Sequence, residues 1–272
     1  MESLPIWEVY LYVDGPVTVK SRIRTTERKG FHPQNPFYSD VQIESVPSGL
    51  RARLTARAQD KKLAYKAGVY FFGQMLDVLT LRIKQPMYLG LFQGSKPRQV
   101  EHNVRRMLDR DDFTDAFQDA HELAVHNHQF LRSLGWFRKG LTADDPLDKF
   151  LAFWNSIEIV ASSYYRFVDG IDQERASNGS KSQIWECFKL MWGVCDVWPV
   201  IAAQRSWIDD NYAVRTDIAH GVAFVNIQDV EKVAARLPDI EEVSYQFLLD
   251  WKAQILVRRR FRLSEIHQDR LI

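Results

Sequence analysis

The hydrophobic pattern of the chain changes its period near residue 100, and this change limits the folds that the chain can adopt. Before it, aromatic and β-branched runs alternate with turns, as where residues 6–13 precede an Asp-Gly-Pro turn. After it, apolar residues recur at steps of three and four, the spacing of amphipathic helices. The sequence therefore predicts an α+β protein with a small strand and helix domain over residues 1–97 and a mainly helical domain over residues 98–272.

Local composition predicts the elements of the N-terminal domain. A strand over residues 6–13 and a return over residues 17–20 are typical of a hairpin. Glycines and prolines predict a long loop over residues 25–49, with one short strand near residues 41–46. The remaining elements are a long helix with a basic face near its start, a strand and a linker, over residues 50–81, 87–92 and 93–97.

The C-terminal domain is predicted to be helical. Pro146 lies in the first turn of its second helix, with Asp144 or Asp145 as the N-cap. A polar loop is predicted over residues 170–182. The helices themselves are predicted over residues 112–134, 147–167, 183–197, 203–220 and 237–260.

The bulk composition excludes several classes of protein. The chain has 36 Lys and Arg against 35 Asp and Glu, which argues against a generic nucleic-acid coat and against an acidic disordered tail. A nuclease that meets RNA at one local site needs no global positive charge. The start of the chain lacks the features of a signal peptide, and no segment approaches the ~20 apolar residues of a membrane span. We therefore expect a cytoplasmic protein with reduced cysteines and no membrane partner.

One run near the C-terminal end combines a fixed cation with a titratable imidazole. It reads Asn-Tyr-Ala-Val-Arg-Thr-Asp-Ile-Ala-His-Gly, with Arg215 and His220 five positions apart. Histidine titrates near neutral pH and can move a proton, while arginine offers donors that match a phosphate. Together they could cleave RNA without a metal, His220 moving the 2′-OH or leaving-group proton and Arg215 holding the charge that builds on phosphorus.

The spacing of this motif also allows a structural interpretation. In an ideal helix the two side chains lie about 140° apart, so they converge only if the helix loosens or ends, as Gly221 would favour. Alternatively, His220 caps the last carbonyls, and Arg215 pairs with Asp210 or Asp217.

Glu158 lies in line with an otherwise apolar stripe on the second predicted helix of the C-terminal domain. An unpaired carboxylate would be costly there, so it should find a cation or reach the rim. Arg215 is the partner that we predict, and a lysine at the rim is the alternative.

Other charged motifs give weaker signals. His121 and His126 are five apart, so they do not form the zincin pair, and His128 does not repair that geometry. The chain has no phosphate-cradling glycine loop and no dinucleotide fingerprint, and we predict neither a metal nor a cofactor. The basic run over residues 258–262 and the basic face of the first long helix could contact phosphates, but solvated faces are the more common state of such runs.

Two segments together resemble the HEPN superfamily, and particularly its Apea-like or MauJ-like branch. The first is Phe150-x-x-Phe-Trp154-Asn-Ser-Ile-Glu158, and the second is Arg215-Thr-Asp-Ile-Ala-His220-Gly. The resemblance covers residues 145–260 best, and Thr216 stands where many active members carry asparagine, aspartate or histidine.

The resemblance implies an antiparallel helical bundle that dimerises, with Arg215 and His220 meeting their copies in a composite site. It implies metal-independent cleavage of RNA by 2′-OH attack, with Glu158 orienting the arginine and with Thr216 and Asp217 shaping the site. Such proteins serve as toxins or antiphage effectors, so RNA, a second copy and an antitoxin or regulatory protein are the expected partners. The alternative is a non-catalytic HEPN module that acts as a sensor, scaffold or partner-binding subunit.

Overall fold

The computed structural model describes residues 4–32, 35–90, 102–220 and 227–256, apart from the side chains of residues 27–39. The chain forms two compact units, Met1–His121 and Glu122–Ile272. The predicted domain boundary at residues 97 and 98 lies outside the described residues.

The first unit contains the sheet, so the predicted α+β class is confirmed. Five strands form an antiparallel sheet in the order β3-β4-β5-β1-β6, and β2 pairs in parallel with β7. The strands are β1 (Ile6–Asp14), β2 (Val17–Val19), β3 (Ile23–His32), β4 (Asn35–Val46), β5 (Gly49–Arg57), β6 (Tyr88–Leu89) and β7 (Arg106–Leu108).

The predicted hairpin of residues 6–13 and 17–20 is wrong, because β1 is paired on both sides by other strands. β1 lies between β5 and β6, and β2 leaves to pair with β7. The predicted loop of residues 25–49 is also wrong, since β3 and β4 form a long antiparallel pair there, although the short strand predicted near residues 41–46 is confirmed as part of β4. Pro36 is tolerated in β4 because β5 pairs with β4 only from Ser39 onward. The missing N–H of Pro36 therefore costs no hydrogen bond with β5.

The predicted helix over residues 50–81 begins too early. Leu50, Ala52, Leu54 and Ala56 are buried in alternation along β5, which is the period of a strand with one face in the core. The helix α1 is Lys61–Ile83.

Helix α1 begins at an aspartate cap and packs against the sheet. The Asp60 side chain accepts a hydrogen bond from the backbone N–H of Leu63 at 2.8 Å. A Cβ on Gly68 would lie 3.1 Å from the Leu54 side chain and 3.3 Å from that of Val9, so glycine allows the close approach of α1 to β5 and β1. The sheet therefore buries one face under α1.

The second unit is helical. The boundary between the two units, after His121, falls within helix α2 (Arg110–His126). Three short helical turns lie at Tyr165–Phe167, Cys195–Val197 and Lys252–Leu256. The helices are α3 (His128–Thr142), α4 (Pro146–Tyr164), α5 (Gln173–Ala176), α6 (Ser180–Trp192), α7 (Trp207–His220), α8 (Ile227–Ala234) and α9 (Leu237–Trp251).

Helix α4 forms the centre of this unit and contacts α3, α6, α7, α8 and α9. Asp145 caps it by accepting hydrogen bonds from two backbone N–H groups, and Pro146 opens its first turn, so this predicted start is confirmed. Its side chains Phe150, Phe153 and Trp154 are fully buried. Burial of these large aromatic side chains stabilises the unit through the hydrophobic effect.

Other predicted helix bounds need correction. The helix predicted over residues 112–134 is broken at Asn127, which separates α2 from α3. The helix predicted to run to residue 197 ends at Trp192, because Gly193 adopts a positive φ of 78° there. Helix α8 was not predicted. No described helix is long and apolar enough to cross a membrane.

Candidate functional site

Glu158 and Arg215 meet where α7 packs against α4. The Nε atom of Arg215 lies 3.4 Å from Oε2 of Glu158, so the predicted pairing of these two residues is confirmed. The alternative pairing of Glu158 with a lysine does not occur among the described residues. The Glu158 side chain is 18% exposed and that of Arg215 is 29% exposed, so the pair is largely shielded from solvent.

Trp154, one helical turn before Glu158 on α4, also contacts the Glu158 carboxylate. Its indole N–H donates a hydrogen bond to the same carboxylate oxygen of Glu158 at 3.0 Å. The ring is fully buried, with its centroid 6.3 Å from that of Trp207 and 6.2 Å from that of Tyr212, both on α7. Tyr212 and Arg215 are three positions apart, so they lie on one side of α7. Trp154 contacts Tyr212 and Glu158 pairs with Arg215, so two successive turns of α4 contact that side.

Arg215 is held at one end and free at the other. Its Nε is buried and forms no hydrogen bond with a described residue, so the contact with Glu158 is an ion pair rather than a hydrogen bond. No described residue accepts a hydrogen bond from its terminal nitrogens. The geometry leaves the two outer nitrogens available to an anion.

His220 ends α7 and is exposed. Because α7 is regular from Trp207 to His220, the five-residue spacing turns His220 about 140° away from Arg215. No ion pair or hydrogen bond among the described residues joins His220 to Arg215 or Glu158. Gly221, on which the predicted convergence depends, lies outside the described residues.

Thr216 and Asp217 precede His220 by four and three positions and therefore share its side of α7. Both are half-buried. The Thr216 hydroxyl donates a hydrogen bond to the carbonyl oxygen of Tyr212 at 2.9 Å. The five predicted site residues thus form two groups within one chain, the Glu158–Arg215 pair and the group of Thr216, Asp217 and His220.

A buried asparagine and a cleft beside it were not predicted. Asn211 is 1% exposed, donates from Nδ2 to the Trp207 carbonyl oxygen at 2.7 Å, and accepts from Arg236 at 3.5 Å. A cleft of about 440 Å³ opens there, at the beginning of α7. The position of Asn211 could have been predicted from the sequence, because Asn211 begins the run that contains Arg215 and lies four residues earlier, on the same face of the helix.

The other charged motifs have separate positions. His126 ends α2 and His128 begins α3, and the described residues include no group of three residues able to hold a metal. The predicted basic helix face is divided between two elements: Lys61, Lys62 and Lys66 lie on α1, whereas its three arginines, Arg51, Arg53 and Arg57, lie on β5. The basic run over residues 258–262 lies outside the described residues.

Comparison of the chain with protein-family models, with curated proteins and with solved structures finds no match.

Proposed function

We propose that the protein is a metal-independent endoribonuclease of the HEPN type, in which the helical unit is an antiparallel bundle. The observation that carries this proposal is the oriented arginine. Glu158 holds Arg215 through Nε and leaves the terminal nitrogens free, which is the arrangement that suits an arginine for binding a phosphate.

In this proposal each residue has a distinct role. Arg215 stabilises the charge that develops on the pentavalent phosphorus, and Glu158 orients Arg215. His220 is the general base or acid that activates the 2′-OH or protonates the leaving group. Thr216 and Asp217 shape the surface on the side of His220.

The separation of His220 from Arg215 within one chain supports a composite site. Two copies related by a twofold axis could bring His220 of one chain to the Arg215 of the other, which one chain alone does not do. The proposed partners are therefore RNA and a second copy. The exposure of His220 also leaves it accessible to an antitoxin or regulatory protein, as expected for a cytoplasmic toxin or antiphage effector.

The test is incubation of the full chain with total RNA in the presence of a chelator. We expect the wild type to cleave RNA to products with 2′,3′-cyclic phosphate ends, and His220→Ala and Arg215→Ala to lower the rate about 100-fold or more. His126→Ala is the matched control, because His126 is an exposed histidine at the end of another helix. Identical RNA profiles for the wild type and His220→Ala would contradict the proposal.

A second candidate is a non-catalytic module that acts as a sensor, scaffold or partner-binding subunit. The shielding of the Trp154–Glu158–Arg215 contact favours it, because such networks also stabilise helix packing. Melting temperatures separate the two candidates. A large loss of stability in Arg215→Ala, with no RNA cleavage by the wild type, supports the module, whereas unchanged stability with lost cleavage supports the enzyme.

A further inference from the structure

The face of the sheet opposite α1 carries polar and charged side chains arranged in rows across the strands. The register places Arg24 of β3, Gln42 of β4, Arg53 of β5 and Tyr10 of β1 in one such row. With neighbouring strands about 4.8 Å apart, this row spans about 14 Å.

Three depressions lie on this face and beside β3 and the beginning of α2, and we name them together the arginine groove. Their volumes are about 690, 250 and 80 Å³. Arg24 and Arg110 line both the first and the second, and Gln42 lines both the second and the third. The depressions are therefore neighbours that share part of their walls. Their basic lining residues are Lys20, Arg22, Arg24, Arg51, Arg53 and Arg110.

The acidic residues of the groove do not cancel its positive charge. Six basic side chains line the groove with three acidic ones, Asp40, Glu44 and Asp109, which leaves a formal charge of +3, or +2 when Glu8, the partner of Arg53, is included. Each of the three acids already has a partner. Glu44 binds both Arg22 and Arg51, so one negative charge serves two cations.

The other two carboxylates have their own donors. Asp109 accepts hydrogen bonds from the backbone N–H groups of Asp111 and Asp112 at 2.9 and 3.0 Å, so its charge faces the beginning of α2. Asp40 accepts a hydrogen bond from the Thr26 hydroxyl at 2.9 Å. The cations that remain for a ligand are thus concentrated at Lys20, Arg24 and Arg110, all of which are exposed.

An exposed aromatic ring lies at the end of the same row. Tyr10 is 45% exposed, and its hydroxyl donates to Glu8 at 2.6 Å, a bond that fixes the direction of the ring. Arg53 approaches the other oxygen of Glu8 at 3.3 Å. A held aromatic ring beside a line of arginines combines a stacking surface for a base with donors for phosphates.

We propose that the arginine groove binds single-stranded RNA, with phosphates along Arg24 and Arg110 and a base stacked on Tyr10. Single strands fit this surface because only an unpaired base can offer its face to Tyr10. The proposal extends the proposed ribonuclease function by naming a surface that holds its substrate, but it uses no residue of α7. The groove can therefore be tested independently of the proposed ribonuclease site.

The test measures the binding of a fluorescent uridine oligonucleotide of roughly 16 nucleotides by anisotropy, using the full chain with His220→Ala so that RNA stays intact. We expect Arg24→Glu/Arg110→Glu to weaken binding about tenfold or more and to lower the salt slope by about 1 to 2. Tyr10→Ala should weaken binding about fivefold with little change of the salt slope.

The matched control is Lys61→Glu/Lys62→Glu, which makes the same change of charge at two exposed residues at the beginning of α1. It should bind RNA like the wild type. Circular dichroism checks the fold of each variant, and Arg24→Gln/Arg110→Gln replaces the charge reversal if that variant unfolds. The glutamine pair should then weaken binding by a smaller factor.

Equal weakening by the groove variant and the control variant would overturn the proposal, as would tighter binding of duplex DNA or of phosphatidylserine vesicles than of RNA. Selective loss of binding in the groove variant, with no RNA cleavage by the wild type, supports the groove and rejects only the ribonuclease. RNA cleavage by the wild type with unchanged binding in the groove variant rejects only the groove.

Discussion

Two glutamates, one in each unit, bind arginine in different surroundings. Glu158 of the helical unit accepts a hydrogen bond from Trp154 and faces one arginine, and this contact is shielded by buried aromatic rings. Glu44 of the sheet binds Arg22 and Arg51 together; it is 24% exposed, close to the 18% of Glu158, but its two arginines are 53% and 41% exposed. The first arrangement is electrically balanced and fixes one side chain, whereas the second leaves a surplus positive charge that is open to solvent.

The difference shows what each network can do. A carboxylate that is shared with one cation and one indole N–H sets the direction of that cation, which suits a residue that must meet a reacting group. A carboxylate shared by two cations spaces them along a surface and leaves them attractive to a polyanion. The same two residue types would thus support the proposed site in one unit and the proposed binding face in the other.

The largest expected effect comes from the aromatic neighbours of the two networks. Trp154→Ala removes a fully buried ring from the helical unit and should lower the free energy of unfolding by about 3–5 kcal/mol. Tyr10→Ala on the sheet removes a ring that is 45% exposed and should cost less than about 1 kcal/mol. Urea unfolding of both variants measures the contrast, and equal costs would refute it.

A smaller effect is expected from Glu158 itself. Glu158→Ala leaves the Trp154 N–H without its acceptor and the Arg215 guanidinium without its ion-pair partner, and should cost about 2 kcal/mol. Glu158→Gln keeps a carbonyl oxygen for the indole N–H and should cost less. Thermal unfolding ranks the three proteins, and a glutamine variant less stable than the alanine variant would show that the hydrogen bond with Trp154 is unimportant.

The smallest expected effect is that of Glu44→Gln, at about 1 kcal/mol or less near neutral pH, because solvent screens this network. Hydrogen bonds from Arg51, followed by those from Arg22, hold the pKa of the Glu44 carboxyl below its ordinary value. A lowered folded-state pKa gives stability that is present above the unfolded pKa and is lost as the pH falls through the folded pKa. The difference between the two proteins should therefore begin to shrink as the pH falls below about 4 and vanish only below the lowered folded-state pKa of Glu44, as measured by urea unfolding across a pH series.

Residue patterns were enough to predict part of this structure. Asp145 and Pro146 specify the beginning of α4 locally, and Glu158 on an apolar stripe required a cation, so both predictions are confirmed. In each case the cause lies within one helix or in one uncompensated charge. The α+β class followed from the change of period.

The errors arose where distant pairing overrides local composition. The glycines and prolines before Ser39 read as a loop, but β4 obtains its partners from β3 and β5. Leu54 and Ala58 have the spacing of a helix, but Leu50, Ala52 and Leu54 have the alternation of a strand. Pairing with β1 stabilises the strand. The arginine groove could not be predicted for the same reason, because Arg24, Arg53 and Tyr10 become neighbours only through the register of the sheet.

The backbone hydrogen bond of Thr216 has a consequence for the choice of nucleic acid. A threonine hydroxyl has one proton, and here that proton is donated to the Tyr212 carbonyl, so a ligand on this side of α7 meets only an acceptor. Phosphate oxygens and deoxyribose carbons offer it nothing, whereas the 2′-hydroxyl of ribose can donate to it. In the proposed enzyme, a bond internal to the helix would thus make Thr216 a discriminator between ribose and deoxyribose.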